Sequence, residues 1–383
     1  MTEIISTNGS VTLILRKHAS TQVLTCLTAS SLRGRLPGAS REPRRTSGMT
    51  EKTKIERRTF VQVMTAASSA ALSLALLPRR AAGQSPNNSA SNASDLFETK
   101  EIKTDDNTIF IRRYGSGSPL LMVHGFPRTS LMWRHVAPHL AGNRTVICVD
   151  LRGYGRSGVP PSTEDHYPYT KRAMANELVA VMDKLGFSKF DLVGHDRGGR
   201  VSYRLALDHP EKVQRLAVFD VLPISEAWGH ADAKFAMTYW PWSLLSQKAP
   251  LPEKYLIGAP DAVFDNPFGQ GSFGPEVKAE YTETYCDPAR VHAICEEYRA
   301  AATLDIEHDK ADQKEGRRIK CPMLHLWASG GPLDTFYEQN GGALGIWKKW
   351  ADNVQGRAVK GGHFFPEENP ADTTELLTKF LSA

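Results

Sequence analysis

The sequence predicts a mainly parallel, doubly wound α/β fold with a helical cap inserted after the sixth strand, and three observations predict it. Short continuous apolar runs recur at 120–123, 146–149, 190–193, 216–219 and 323–327, as in strands buried on both faces. Helical patterns such as 169–185 and 200–207 separate them, which is the rhythm of βα units. That rhythm breaks from about 223 to 307, where Tyr239-Trp240-Pro241-Trp242, Tyr255, Tyr281, Tyr285 and Tyr298 fall without strand alternation. An insertion there covers the carboxyl edge of the sheet, where such folds hold ligands.

Residues 1–94 read as an N-terminal extension. Glu56-Arg57-Arg58-Thr59-Phe60-Val61-Gln62 has the form of a twin-arginine export motif, followed by a weakly apolar run of small residues at 63–77. Ala81-Ala82-Gly83 then suits a signal peptidase acting before Gln84. The expectation is a signal over about 49–83, removed on export to the periplasm; without a working leader the protein stays cytoplasmic. The run is too short and too polar for a stable membrane span. Met49 competes with Met1 as the start, 1–48 show no clear periodicity, and 84–94 form a polar linker expected to stay disordered.

The body divides into a first core segment (95–222), the cap (223–307) and a second core segment (308–383). Residues 97–103 and 108–114 alternate with a period of two about Asp105-Asp106-Asn107, a hairpin pattern. A last strand near 355–360 and a helix at 370–381 close the domain. The net charge of +5 belongs to the leader: residues 1–83 carry 13 Lys/Arg against 4 Asp/Glu, and the rest 34 against 38. Nothing in the body asks for nucleic acid. Cys148, Cys286, Cys295 and Cys321 lack metal-type spacing, so no metal or other cofactor is expected. Cys148 and Cys321 read as buried small hydrophobes. Whether Cys286 and Cys295 pair is open, as is oligomeric state, for which a homodimer is one option.

The chemistry concentrates at 190–200. A buried strand runs into Gly194-His195-Asp196-Arg197-Gly198-Gly199-Arg200 and a helix begins at once. This is the form of a nucleophile elbow, G-x-S-x-G, with Asp at the Ser position. A carboxylate there is already ionised and needs no base to attack. The bland alternative is an Asp that merely caps the following helix. His124-Gly125-Phe126-Pro127 follows an earlier strand, in the position of an oxyanion loop, so the N–H groups of Phe126 and Arg197 are the expected oxyanion hole. His363, in Gly361-Gly362-His363-Phe364-Phe365-Pro366, has the chain order of a general base. Asp220 and Asp334 each follow a strand and compete to orient it. Arg200 lies one helical turn past Asp196 and faces the same crevice. Arg128, just after the loop, either adds positive potential near the site mouth or, as the commoner case, is a solvated surface residue.

Six segments, His124-Gly-Phe-Pro, Asp150-Leu-Arg-Gly-Tyr-Gly-Arg-Ser, Gly194-His-Asp-Arg-Gly-Gly-Arg, Glu297-Tyr298-Arg299-Ala300, Asp305-Ile-Glu-His-Asp309 and Gly362-His-Phe-Phe-Pro-Glu, resemble the haloacetate (fluoroacetate) dehalogenases of the α/β-hydrolase superfamily. The resemblance spans 97–383. It implies an α/β-hydrolase fold, Asp196 as nucleophile, His363 as general base and Asp220, rather than Asp334, as its acid. It also implies Arg197 and Arg200 as a clamp on a small carboxylate substrate, with water as co-substrate, and Trp242 and Tyr298 as halide-pocket residues. Guanidinium forks match carboxylates in a way Lys does not, which supports the clamp on physical grounds.

One departure matters. Pro241 stands where fluoride-active members of the family have His. Fluoride is a poor leaving group, and losing one preorganised donor costs roughly 3 kcal/mol. Chloro- or bromoacetate is therefore expected to react faster than fluoroacetate unless the Trp240 indole stands in. An epoxide hydrolase shares the elbow Asp and needs two lid tyrosines, but a neutral epoxide has no use for two guanidiniums. A serine esterase lacks its Ser, and a non-catalytic carboxylate binder has no need of a complete Asp-His-Asp set.

Overall fold

A computed structural model describes residues 2–7, 10–17, 20–23, 97–264 and 273–383 in two units, Met1–Ala90 and Ser91–Ala383. In the first, β1 (Thr2–Thr7), β2 (Ser10–Lys17) and β3 (Ser20–Val23) form an antiparallel sheet in that order. This corrects the expectation of no pattern in 1–48. The overlooked signal is Asn8-Gly9 between two β-prone runs, a strong hairpin dipeptide. The expected export signal and linker at 49–94 lie outside the described residues.

The second unit holds an eight-stranded sheet of β4 (Glu98–Lys103), β5 (Thr108–Tyr114), β6 (Ser118–Val123), β7 (Arg144–Val149), β8 (Phe190–His195), β9 (Val213–Phe219), β10 (Met323–Ala328) and β11 (Val354–Val359). Their order is β11-β10-β9-β8-β6-β7-β5-β4. From β7 to β11 every pairing is parallel, while β5 runs antiparallel to both β7 and β4. The predicted doubly wound, mainly parallel class is what is found. Strand β6 lies between β7 and β8, so the winding direction reverses beside it. Ligands bind at such a switch point, outside the carboxyl ends of the strands.

The continuous apolar runs are explained by burial on both faces. In β6, Leu121 and Val123 enter the core under the helices Lys171–Lys184 and Arg197–Asp208, while Leu120 and Met122 enter a second core with Trp133, Leu377 and Phe380. Burying a side chain of this size contributes roughly 1.5–3 kcal/mol. A one-residue register slip would exchange the two faces, keeping apolar burial but forcing side chains of the wrong shape into each packed core.

Between β9 and β10 the chain is helical among the described residues, from Ile224–Gly229 to Leu304–Lys314. The cap boundary expected at 307 falls inside the last of these helices. It runs on because Asp309 and Asp312 pair with Arg204 of Arg197–Asp208, and it ends at Gly316, which has a left-handed φ of 67°. No described helix is long and apolar enough to cross a membrane. Cys148 and Cys295 are buried, Cys321 is only half-buried in the loop before β10, and no disulfide joins Cys286 to Cys295.

Candidate active site

Asp196 stands between the end of β8 and the helix Arg197–Asp208, with φ 48° and ψ −117°. A non-glycine residue in this region carries strain of order 1–3 kcal/mol. The surroundings over-determine it: its N–H donates to Phe219 O at 3.2 Å and its carbonyl accepts from Arg200 N–H at 3.1 Å. A Cβ on Gly194 would collide with Ser202 Oγ and the Gly198 carbonyl, so only glycine lets the strand turn this tightly into the helix. The Asp196 side chain makes no capping bond to its own helix. The cap reading of this residue therefore falls away.

The carboxylate instead reaches outward. Oδ1 accepts the Phe126 N–H at 3.0 Å, and Oδ2 accepts Arg200 Nη1 at 3.0 Å. His363 Nε2 lies 3.8 Å from the same Oδ2. Burial alone would raise the Asp196 pKa, but the Arg200 guanidinium and the His363 imidazole outweigh it and hold it near about 2. Asp196 is thus a fully ionised carboxylate in a water-poor site.

His363 Nδ1 is 2.5 Å from Asp220 Oδ2, and Asp220 Oδ1 accepts the Ala328 N–H at 3.0 Å. Burial works to raise the Asp220 pKa, but the hydrogen bond and charge of His363 prevail and lower it. Asp220 follows β9 and, like Asp196, has a positive φ, of 52°. Asp334 is occupied elsewhere, accepting Trp327 Nε1 at 2.8 Å and Gly330 N–H at 2.9 Å near the surface. The geometry thus sets Asp220 and not Asp334 against the imidazole. The His363 backbone is itself held, its carbonyl accepting from His195 Nε2 at 2.7 Å. Burial, then the neighbouring His363, push the His195 pKa down to about 3, so it is a neutral Nε2–H donor.

The loop after β6 fits against the elbow. A Cβ on Gly125 would collide with Asp196 Cβ and crowd the Arg197 nitrogen, so glycine is required for this approach. His124 fixes the loop from below, Nε2 accepting Leu151 N–H at 3.0 Å and Nδ1 facing Gly125 O at 3.1 Å. The Phe126 ring lies edge-on between cap residues Tyr285 and Tyr298, at centroid distances of 6.0 and 5.6 Å. Its N–H is thereby aimed at Asp196, beside the first turn of a helix whose positive end favours an anion.

Two guanidiniums flank the carboxylate. Arg200 lies 4.5 Å above the Trp242 ring, and Arg197 lies 4.1 Å from the Tyr298 ring and 5.6 Å from Trp242. Arg197 Nε and Nη2 are taken by the Glu297 carboxylate and carbonyl at 2.9 and 3.0 Å. Each guanidinium keeps a buried nitrogen with no hydrogen-bond partner among the described residues: Nη1 of Arg197 and Nε of Arg200. Buried orphan donors of this kind are costly, and a ligand oxygen relieves that cost. Pro241 is buried and offers no donor, while Trp240 packs edge-on against the exposed Tyr255.

Asp196, His363, Asp220, Phe126, Arg197, Arg200, Trp242 and Tyr298 converge at this edge of the sheet, and Asp334 does not. Arg128 is the correction. It is fully buried, paired with Glu367 at 2.7 Å, and stacked 3.7 Å from Phe364 and 4.6 Å from Phe273. Sequence reasoning gave no role to Glu297, though it adjoins Tyr298 on the same helix, nor to Tyr239. Tyr239 is buried against Phe235, with ring centroids 4.9 Å apart, and burial and then the charge of Asp220 raise its pKa. No group of His, Cys, Asp and Glu suited to a metal occurs among the described residues.

With this geometry in view, comparison with known proteins is informative. The α/β hydrolase fold family matches residues 118–253. A fluoroacetate dehalogenase of Burkholderia sp is 42% identical, over 75% of this chain and 94% of its own. A soluble epoxide hydrolase of Corynebacterium sp. (strain C12) is 30% identical, over 70% of this chain and 91% of its own. A solved structure from Nostoc sp PCC 7120, assigned to the alpha/beta hydrolases, superposes with a TM-score of 0.71 at 42% identity, over 75% of this chain and 98% of its own.

Proposed function

This chain belongs to the α/β-hydrolase family, and on that premise we propose that it hydrolyses the carbon–halogen bond of a small 2-haloacid such as chloroacetate through an aspartyl ester. The observation that carries the reading is the pair of orphaned guanidinium nitrogens beside an ionised carboxylate already seated on an oxyanion-type N–H. Two cationic donors are waste for a neutral substrate and a receptor for a carboxylate.

With the substrate carboxylate on Arg197 Nη1 and Arg200 Nε, its halogen-bearing carbon faces Asp196. Oδ1 stays on the Phe126 N–H, and Oδ2, which faces Arg200 Nη1 at 3.0 Å, attacks as the substrate carboxylate engages that guanidinium. Oδ2 forms a C–O bond as the halide leaves with the C–X electron pair, beside the Trp242 and Tyr298 side chains. His363 Nε2 then takes a proton from water, whose oxygen adds to the ester carbon. The resulting oxyanion on Oδ1 is met by the N–H groups of Phe126 and Arg197. Collapse expels the glycolate oxygen, which takes the proton held by His363, and leaves Asp196 as a carboxylic acid that loses the remaining water-derived proton to solvent, so the turnover releases halide and one proton. Asp220 stabilises the imidazolium in between.

The relative from Corynebacterium makes epoxide hydrolysis the second reading, favoured by the two buried cap tyrosines Tyr239 and Tyr298, whose hydroxyls both feel the Asp196 charge. A parallel assay of halide release from chloro-, bromo- and fluoroacetate and of diol formation from styrene oxide separates the two. Halide release without diol is expected; diol formation alone would exchange the readings.

A further inference from the structure

Arg197 carries five N–H groups, and its value as a receptor depends on which of them is left for the ligand. Glu297 decides this. From the cap helix Pro288–Ala302 it takes the Nε and Nη2 edge of the guanidinium with its carboxylate and its own carbonyl, which leaves Nη1 over. Glu297 is in turn fixed on two sides. Its Oε2 accepts the Tyr154 hydroxyl at 2.8 Å, and Lys171 Nζ lies 3.0 Å from its Oε1. Lys171 also lies 3.6 Å from Asp305 Oδ2, and its backbone N–H donates to Asp305 Oδ1 at 2.9 Å.

The result is a string of alternating charges, Arg197, Glu297, Lys171 and Asp305, whose side chains are 0%, 1%, 1% and 3% exposed. Burying four charges is costly unless each is paired and hydrogen-bonded, and removing a middle member leaves two like charges facing each other. Burial would make Glu297 a weaker acid, but Arg197 and Lys171 lower its pKa, so it stays ionised. None of Glu297, Lys171 and Asp305 is needed to make an Asp196 ester. Their effect is to hold one donor still.

We propose that Glu297 is a positioning residue that presents Arg197 Nη1 to the carboxylate of the substrate, with Tyr154 and the Lys171–Asp305 pair holding Glu297 in place. This rests on the haloacid reading and deepens it. Recognition is then a property of the cap-to-core string and is separable from the chemistry at Asp196.

The test uses acetate, an unreactive carboxylate, as probe, with its Kd measured by calorimetry, alongside kcat and KM for chloroacetate. Losing a charged hydrogen-bonding partner of Arg197 in Glu297→Gln is expected to weaken acetate binding about tenfold or more and to raise KM in step, with kcat within about threefold. Tyr154→Phe keeps every charge, so it stays informative if Glu297→Gln does not fold. It is expected to weaken acetate by about threefold. An acetate Kd unchanged in Tyr154→Phe, or a fall in kcat with Kd and KM unchanged in Glu297→Gln, overturns the assignment. The outcomes stay distinct from those of the underlying reading. If the wild-type chain releases chloride but the variants keep the wild-type Kd, only the role of Glu297 fails. If the wild-type chain releases none, the haloacid reading fails and the acetate Kd still judges Glu297.

Discussion

The strand ends and the cap contribute to the same crevice in different ways. Asp196, Asp220 and the Phe126 N–H come from the ends of β8, β9 and β6, and His363 from the loop after β11, each within hydrogen-bond reach of a neighbour in the set or nearly so. Both carboxylates have a positive φ, so the backbone itself is bent to deliver them. Trp242, Tyr298 and Glu297 come from cap helices and meet the guanidiniums through ring faces and a buried ion pair. On the proposed function, the sheet edge reacts, and the cap braces the two core guanidiniums, Arg197 and Arg200, that recognise the substrate. A fold of this kind can keep its reaction while its cap changes substrate.

Substitutions that separate the two regions give the largest effects. Asp196→Asn is expected to lower halide release by about six orders of magnitude, as loss of a nucleophile does elsewhere, with acetate still bound. Loss of acetate binding as well would mean that reaction and recognition are not separable. Next comes the leaving group, a property of the cap. With Pro241 supplying no donor, fluoroacetate should react about two orders of magnitude slower than chloroacetate. Pro241→His should narrow that gap, and faster fluoride than chloride release from the wild-type chain would contradict it.

The seam between the regions is tested by Arg128, which joins Glu367 of the His363 loop to cap rings Phe264, Phe273 and Tyr281. Arg128→Met leaves Glu367 with Arg134 and Tyr281. Breaking one arm of a buried ion pair should cost about 3 kcal/mol in chemical denaturation, and a change under about 1 kcal/mol would show the seam to be unimportant.

The smallest effect per residue belongs to two buried histidines of the sheet, His195 at the end of β8 and His325 within β10. Burial pushes His195 down to about 3 and His325 to about 4, so both are neutral when folded. A base whose pKa is lowered on folding gives its full stability above its unfolded pKa and loses it as pH falls towards the folded value. Between about pH 6.5 and 5 each histidine should therefore cost on the order of 2 kcal/mol. Equal denaturation midpoints at pH 7 and pH 5 would speak against it.

Much of the sheet edge was legible because its signals are local. A strand, a glycine-flanked Asp and a helix occupy eleven consecutive residues, and the helix then carries Arg200 to the same side by its own period. Residue pattern alone leaves Asp220 and Asp334 level; the family resemblance favours Asp220, and the sheet order gives the physical reason, seating β9 beside β8 and leaving Asp334 to Trp327. The charged interior was not legible. Arg128 finds Glu367 across 239 residues and Arg197 finds Glu297 across 100, and no periodicity encodes such pairings. A lone Arg after a turn looks solvated until its partner is known. The N-terminal hairpin was missed for a plainer reason, an Asn-Gly signal passed over.

The central claim is that Asp196 attacks carbon and that His363 acts only afterwards. Mass spectrometry of a His363→Asn variant incubated with chloroacetate tests it directly. The account predicts one equivalent of chloride released and a carboxymethyl group on the peptide that carries Asp196. An unmodified Asp196, with chloride released catalytically or not at all, would contradict it.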